Sequence, residues 1–213
     1  MKYYLNEEDM FRLVTKEFKR LGIILESDQK LPNIATLVAG ERVKGSWWGH
    51  PKSKTIWRAL KRFCARDDVL IGKLVSGKVT FIHRRLWPDF LAVSTSKEDW
   101  QTISLSPQAL TLLKSVEKHG EIRTDDARWK ANQAKSIAAS ARELERRLLV
   151  HSEEVHTAKG FHAKVLQSWK RWAREVNFTK SLPRVPAAKA KFESLLQSLN
   201  EEYRADGQLP WAN

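Results

Sequence analysis

The spacing of apolar residues predicts two helices in the first part of the chain. The first helix follows from a run of apolar residues three or four positions apart: Phe11, Val14, Phe18 and Leu21. Asn6 is a good N-cap for it, and Gly22 marks its end. A shorter apolar helix is predicted over 34–39, with Asn33 as its N-cap and Gly40 at its end.

A third helix and a hairpin follow. Pro51 is a helix-start signal, and apolar residues continue at helical spacing to an end near Arg66: Ile56, Leu60 and Phe63. The stretch 69–84 alternates about the two-residue turn Ser76–Gly77, which predicts a β-hairpin. Counting outward from this turn predicts these pairs: Val75 with Lys78, Leu74 with Val79, Lys73 with Thr80 and Gly72 with Phe81. One face of the hairpin is then apolar and the tip is polar and basic, as in the wing of a winged helix.

The second half of the chain repeats the order of elements. After a helix around 87–93 and a linker at Thr95–Ser96, Ser106 caps a helix that starts at Pro107 and ends at Gly120. Its predicted apolar stripe contains Ala109, Leu110, Leu113 and Val116. A short helix is predicted from Thr124 through Trp129, then a helix that carries Ile137, Ala141, Leu144 and Leu148. A second hairpin over 149–166 turns near Lys159–Gly160, and the tail is helical through Trp169 and Trp172 and again from Pro186 to about Tyr203.

This order predicts the fold class. Three helices followed by a hairpin occur twice, and these are the parts of a winged helix-turn-helix. We therefore expect a mainly α protein with β-hairpins (α+β), built of tandem winged helix-turn-helix modules. The predicted domains are 1–96, a module with the hairpin 69–84; 97–178, a module with the hairpin 149–166; and 179–213, a helical tail.

Composition narrows the class of partner. The 213 residues carry 38 Lys and Arg against 25 Asp and Glu, a net charge of +13. Such a charge favours a polyanionic partner, with a basic surface kept only for solubility as the alternative. Cys64 is the single cysteine, so a reducing, cytoplasmic location is expected. The apolar runs are too short to span a bilayer and no export signal is expected, so we predict no membrane partner. A monomer is favoured.

The strongest local signal for a polyanion is a basic segment without acids between Arg42 and Arg66. Besides these two it contains Lys44, Lys52, Lys54, Arg58, Lys61 and Arg62. On the third helix four cations are spaced by four residues and form a ridge opposite the apolar stripe: Lys54, Arg58, Arg62 and Arg66. Repulsion along this ridge costs a few tenths of a kcal/mol per pair, which a bound polyanion would relieve. A merely solvated helix face is the alternative.

Aromatic residues adjoin this segment. Trp47 and Trp48 lie between glycines and next to His50, and two adjacent tryptophans do not easily face one core. Either one anchors the loop and the other is presented to stack on a base, or both are buried. Further candidate contacts are the hairpin lysines and the basic pair after it: Lys73, Lys78, Arg84 and Arg85.

The second module carries a more mixed set of charges. Candidate nucleic-acid contacts on its recognition helix and wing tip are Lys135, Arg142, Arg146 and Lys159, with Glu143 and Glu145 between them. Packing against the first module without any nucleic acid is the alternative. The histidines lack the spacing of a zinc site, so no metal and no cofactor is predicted. The sequence nominates no catalytic residue.

Several blocks carry a family resemblance. They are Ala39–Glu41, Gly45–Pro51, Lys73–Phe81, His83–Pro88, Glu143–His151 and Glu154–Thr157. In these blocks the chain resembles a bacterial winged-helix family described as AlkZ-related, which is distantly similar to the AlkZ DNA glycosylases. The resemblance implies tandem winged helices and a role in DNA binding or DNA repair. Those glycosylases use a Gln-x-Gln or Gln-x-Asp motif, and none of the seven glutamines of this chain has Gln or Asp two residues later.

Three functions remain open at this point. The first is a DNA-binding protein that acts on damaged or distorted DNA through the basic helix and the Trp pair. The second is a glycosylase-like repair enzyme that flips a base against Trp47 or Trp48. The third is a module that binds RNA or an acidic protein, although DNA is favoured over RNA as the partner.

Overall fold

The computed structural model describes residues 6–126, 129, 134–156 and 162–212. Within these ranges the chain is mainly helical and has two small antiparallel sheets, which confirms the predicted α+β class. The chain divides into two compact units, one formed by the residues up to Trp87 together with Ala190–Ala212, the other by Pro88–Lys189. The domain boundaries expected from the sequence, at 96 and 178, stay predictions. Among the described helices, none combines the length and the apolar character needed to cross a bilayer.

The first unit begins with the elements α1 (Glu7–Leu21), β1 (Ile23–Leu25), α2 (Ile34–Ala39), α3 (Ser53–Cys64), β2 (Val69–Val75) and β3 (Lys78–His83). The predicted caps are present, since the Asn6 side chain accepts the Asp9 N–H and Gly22 closes α1 in the left-handed region. The predicted start of α3 at Pro51 is wrong. Pro51 lies in a turn in which the His50 carbonyl accepts the Ser53 N–H, and the helix begins after this turn.

The hairpin forms where it was predicted, but its register differs. Val75 pairs with Lys78 as expected, whereas Gly72 pairs with Thr80 rather than Phe81. The cause is a β-bulge between Gly72 and Val75, which places one extra residue on β2. The hydroxyl of Thr80 holds the bulge, because it accepts the Val75 N–H at 3.2 Å and donates to the Lys78 carbonyl at 3.0 Å. Thr80, expected on the polar face, is therefore fully buried.

The strand β1, which the sequence did not reveal, completes the first sheet in the order β1-β3-β2. Beneath the sheet, three phenylalanines from three elements pack edge to face: Phe18 lies 4.9 Å from Phe63, and Phe63 lies 5.3 Å from Phe81 between ring centroids. This contact joins α1, α3 and β3. It fixes α3 against the sheet, so that the opposite side of the helix faces outward.

The tip of this hairpin is bound by the end of the chain. Ser76 donates its N–H to the Gln208 carbonyl at 2.8 Å, and its Oγ accepts the Gln208 N–H. A Cβ at Gly207 would come within 2.8 Å of Leu31, which shows how closely this segment packs. The helix α9 (Val185–Tyr203) precedes the segment, and its part from Ala190 onward belongs to the first unit. The tip is thus held by the fold rather than presented as a free wing.

The second unit contains α4 (Trp87–Ser94, from Pro88 onward), α5 (Asp99–Thr102), α6 (Pro107–His119), β4 (Glu121–Arg123), α7 (Ala134–Arg146), β5 (His151–His156), β6 (His162–Gln167) and α8 (Trp169–Glu175). The start of α6 is as predicted, because Ser106 accepts the Ala109 N–H. Its stripe differs in one position, since Leu112 is buried and Leu110 is 42% exposed. The helix predicted through Trp129 falls partly outside the described ranges, and its described residues, 124–126 and 129, are not helical. The turn predicted at Lys159–Gly160 lies wholly outside the described ranges.

Both sheets share one strand order. β4, like β1 unforeseen, pairs with the second strand of its hairpin and gives the order β4-β6-β5. In each unit a left-handed glycine ends the first long helix, at Gly22 and at Gly120. An arginine from after the hairpin covers each glycine, Arg85 over Gly22 and Arg171 over Gly120. The two units therefore repeat a structural detail that the sequence does not repeat residue by residue.

Candidate nucleic-acid interface

The cationic ridge of α3 is formed, but it is not free of acids in the fold. Ile56, Leu60 and Phe63 are buried as predicted. Three of the four ridge residues have a carboxylate partner: Arg58 with Glu7 at 2.9 Å, Arg62 with Glu8 at 2.6 Å and Arg66 with Asp68 at 2.6 Å. Only Lys54, which is exposed, has no carboxylate within ion-pair distance among the described residues. The expectation of an unneutralised row is corrected accordingly: carboxylates from α1 and from Asp68 relieve its repulsion.

These pairs differ in how firmly they are held. The side chains of Arg58 and Arg62 stay 62% and 52% exposed, so their pairs are of the weak, solvent-screened kind that another anion can replace. The hydrogen bond from Arg62 lowers the pKa of Glu8, so this carboxylate is charged at neutral pH. Asp68 is more buried. Burial raises its pKa, but the hydrogen bond from Arg66 and the nearby positive charges together outweigh that effect and lower it. Arg66 is the ridge residue most committed to the fold.

The Trp pair divides into an anchor and a presented ring. Trp47 is buried and its indole N–H donates to Glu26 at 2.8 Å. Trp48 is 64% exposed and stacks on Trp47, with ring centroids 3.9 Å apart and an interplanar angle of 25°. Both lie in a short 3-10 turn, Trp47–Gly49. Of the two arrangements considered from the sequence, the structure has the one in which a single tryptophan faces solvent.

The neighbours expected beside Trp48 are partly engaged elsewhere. The Lys52 ammonium donates to the Ala39 carbonyl at 2.7 Å, at the end of α2. The His50 ring accepts the Lys52 N–H through Nδ1, and its Nε2 lies 3.4 Å from Glu41. Arg42 and Lys44 are exposed. These placements leave Lys52 and His50 with structural roles in the loop that presents Trp48.

A second exposed aromatic lies on α3 and was missed. Trp57 is 46% exposed, and the Lys61 ammonium lies 5.4 Å from its ring centroid. The helical phase contained the signal, because Trp57 does not align with the buried stripe that begins at Ile56. An exposed large aromatic next to a lysine suits contact with nucleic acid in the same way as Trp48 does.

The cations on and after the first hairpin have contacts within the first unit. The Lys78 ammonium binds Asp28. Burial raises the pKa of Asp28, but the bond from Lys78 and the bonds from two backbone amides together lower this pKa by more. Lys73 is half-buried on β2. Arg84 lies over the Trp87 ring at 5.4 Å, and Arg85 donates to the Lys19 and Arg20 carbonyls at 2.6 and 2.9 Å. Arg85 therefore caps the end of α1.

The exposed charged residues of α7 are all cations. Lys135, Arg142 and Arg146 are exposed, and none of them has a carboxylate within ion-pair distance among residues 6–126, 129, 134–156 and 162–212. Of the two acids that lie between them in the sequence, Glu145 is buried, whereas Glu143 is half-buried and lines a surface pocket with Arg142 and Arg146. Both carboxylate oxygens of Glu143 accept from Ser106, and Glu145, 3% exposed, binds Ser152 and Lys164. Lys159, the predicted wing-tip contact, lies outside the described residues.

Metal chemistry has no visible basis in the described part of the chain, where no three His, Cys, Asp or Glu side chains cluster suitably. His151 is buried among Trp169 and Trp172, with centroid distances of 5.6 and 5.8 Å. Burial lowers the pKa of His151 to about 4, against a hydrogen bond with Gln167. A neutral, enclosed imidazole of this kind belongs to the core of the second unit.

Comparison with known proteins places the chain in a family. A family model described as "AlkZ related" matches residues 7–206, nearly the whole chain, and this confirms the resemblance found in the sequence. Neither the curated proteins nor the solved structures contain a significant match to the chain.

Proposed function

Because the chain belongs to the AlkZ-related family, we propose that it binds DNA and acts on damaged or distorted sites. In this proposal the outward faces of α3 and α7 contact phosphates, and Trp48 recognises a base that has left the stack. The family relationship supports a role in DNA repair.

The order of elements supports an assignment of both units as winged helix-turn-helix modules. The first unit runs helix, strand, helix, helix, hairpin, and the second has the same sheet order around α6 and α7. In winged-helix proteins the recognition helix enters the major groove of DNA. In this assignment α3 and α7, which directly precede the hairpins, are the recognition helices.

One observation carries the proposal: the exposed charged residues of α7 are Lys135, Arg142 and Arg146, while Glu143 is half-buried against Ser106 and Glu145 is buried. Duplex DNA presents a phosphate charge about every 1.7 Å along its axis, and cations that neutralise these charges release bound counterions. A helix whose exposed charges are all positive attracts such a charge density. The weak pairs of Arg58 and Arg62 on α3 can exchange their carboxylates for phosphates.

Trp48 supports the proposal that the protein acts on damaged or distorted sites. Its exposed ring rests on Trp47, which Glu26 holds in place, so the indole plane is already ordered before any ligand arrives. Base stacking on an aromatic side chain contributes roughly 1–3 kcal/mol and does not depend on the identity of the base. An ordered, exposed Trp therefore favours DNA with an unstacked base over regular duplex.

The test is the salt dependence of DNA binding, measured by fluorescence anisotropy with a labelled duplex. Arg142→Ala with Arg146→Ala should lower the slope of log affinity against log salt by about 1.8, since each phosphate contact contributes ~0.9. The matched control is Lys97→Ala with Arg123→Ala, which removes the same charge from cations paired with Glu117 and Asp125. A salt-independent affinity, or an equal loss in the control, contradicts the proposal.

A glycosylase-like repair enzyme is the second candidate, favoured by the family match over nearly the whole chain. Its test is incubation with alkylated and cross-linked DNA, followed by detection of abasic sites. Abasic product would establish this activity, and its absence across the lesions would leave DNA binding alone. If RNA of the same length bound more tightly than DNA in the anisotropy assay, the partner would be RNA.

A further inference from the structure

The first turn of α1 lies against the outward cations of α3. Glu7 and Glu8 each take one arginine of the ridge, at 2.9 and 2.6 Å. The Glu8 carboxylate meets the guanidinium of Arg62 with both oxygens, at 2.6 and 3.4 Å, which occupies the forked edge that would bind a phosphate. These contacts span more than fifty residues of sequence, so they are a product of the tertiary fold.

Arg62 is held in place by more than its carboxylate partner. Its guanidinium lies over the Phe11 ring, 3.8 Å from the centroid. Glu7, Arg58 and Arg62 line a small pocket of about 50 Å³ together with apolar residues of α1, α2 and α3. Because the side chains of Glu7 and Glu8 are 57% and 51% exposed, both carboxylates can swing into solvent while Phe11 stays under the Arg62 guanidinium.

From this geometry we infer that Glu7 and Glu8 form an autoinhibitory contact, a pair of carboxylates that occupy the phosphate-binding edges of Arg58 and Arg62 and must be displaced by nucleic acid. The inference rests on the proposed function, and it adds how that surface is regulated. Its consequence is selectivity: a short or weakly charged anion does not displace both carboxylates, whereas a polyanion aligned with α3 replaces the two pairs together.

The contact also predicts how the affinity for DNA changes when the two carboxylates are removed. Two exposed ion pairs of this type oppose binding only modestly, so their removal should raise the affinity for duplex DNA by roughly fivefold at low salt. The gain should shrink as salt is added, because the exposed pairs are themselves screened. A purely structural role for the two glutamates would predict no gain in affinity.

The experiment is a double-mutant cycle on the full chain, read out by anisotropy with the labelled duplex. Glu7→Gln with Glu8→Gln is measured alone and in the background of Arg58→Gln with Arg62→Gln. The matched control is Glu193→Gln with Glu201→Gln, which changes net charge equally at two glutamates of α9 that accept from Trp211 and Gln197. Thermal unfolding of each variant checks that α1 is still formed, because its first-turn acids also favour the helix dipole.

The expected result is a gain of roughly fivefold from Glu7→Gln with Glu8→Gln, little gain from the control and no gain when both arginines are absent. An equal gain in the control, or in the arginine-free background, would show a general charge effect and overturn the inference. No gain at all in a folded variant would overturn it as well, while the proposed function stands if the wild type binds. If neither wild type nor variant binds DNA, the proposed function itself fails.

Discussion

Glu143 accepts two hydrogen bonds from Ser106, one from its backbone N–H at 3.0 Å and one from its hydroxyl at 2.7 Å. This contact joins α7 to Ser106, the N-cap residue of α6. It also engages both oxygens of a half-buried carboxylate that lines the same surface pocket as Arg142 and Arg146. One interaction therefore stabilises the second unit and satisfies a carboxylate beside its candidate DNA contacts.

Ser106→Ala should lower the free energy of unfolding by about 1–2 kcal/mol, because the variant loses the cap to the Ala109 N–H and one of the two bonds to Glu143. Urea unfolding followed by circular dichroism measures this change. Ser115→Ala is the control, since its hydroxyl bonds only to the Thr111 carbonyl within the same helix. An equal loss from both variants would show that the cap is not the cause.

Gly22→Ala should destabilise the protein more than Gly40→Ala. Both glycines end a helix with a positive φ, 85° and 74°, so both substitutions place a side chain in the left-handed region at a cost of about 1 kcal/mol. A Cβ at Gly40 meets open space, whereas one at Gly22 would come within 2.7 Å of the Arg85 guanidinium. Arg85 would have to leave the α1 carbonyls, which adds about 1 kcal/mol.

Thermal unfolding of the two glycine variants measures this difference. A third variant, Arg85→Ala, removes the guanidinium, and the excess cost of Gly22→Ala over Gly40→Ala should then shrink to what the contact with Leu86, 3.0 Å from the new Cβ, still imposes. If the excess cost is undiminished without Arg85, the clash with its guanidinium is not the cause.

The helices were predictable because their signals are local. Asn6 and Ser106 lie next to the helices they cap, and the apolar stripes of α1 and α3 need only helical periodicity. The two strands β1 and β4 were not, since three residues are too few for an alternating pattern to appear. The bulge near Gly72 was also hidden, because Thr80 holds it through a hydroxyl that reads in the sequence as an ordinary polar strand residue.

The site was predictable only where a side chain does not depend on distant partners. The sequence allowed a single exposed tryptophan as one of two arrangements of Trp47 and Trp48. Which ring is buried depends on Glu26, more than twenty residues away. The neutralisation of Arg58 by Glu7 comes from another helix and had no local signal. Glu145 is different: it lies eight residues after Ile137 and so within the buried stripe of α7, and helical phase alone could have placed it inside.

The buried His151 predicts a dependence of stability on pH. Its pKa falls from 6.5 to about 4 in the folded protein, chiefly because burial disfavours the charged ring. Between these values the unfolded chain binds more protons than the folded one, so the free energy of unfolding rises with pH across this window. The stabilisation is complete above the unfolded value and is lost as pH falls toward 4. Between about pH 7 and pH 5 the loss should be roughly 2 kcal/mol.

Urea unfolding at a series of pH values checks this expectation. His151→Gln should flatten the profile between about pH 7 and pH 5, whereas the exposed His119→Gln should leave the slope unchanged. A slope that is the same in His151→Gln as in wild type would show that other groups govern acid stability.

Trp47→Ala and Trp48→Ala should separate stability from recognition. Trp47 is 5% exposed and bonded to Glu26, so its removal should lower the free energy of unfolding by about 3 kcal/mol. Trp48 is 64% exposed, and its removal should cost about 1 kcal/mol or less, the contribution of its stacking on Trp47. Urea unfolding distinguishes the two. Trp48→Ala should instead act directly on DNA binding, because, of these two rings, only Trp48 has a face that is exposed to a base.

Trp48→Ala should weaken binding to a duplex with one unpaired base by about tenfold, the value of one lost stacking contact, and leave binding to a fully paired duplex nearly unchanged. Trp48→Phe should retain most of the preference, since a smaller ring still stacks. Trp57→Ala is the comparison, because that ring is also exposed but lies under Lys61 rather than on a second indole. Because a phosphate-contact defect weakens both duplexes alike, an equal loss on paired and bulged DNA would assign Trp48 to general affinity and remove it from site recognition.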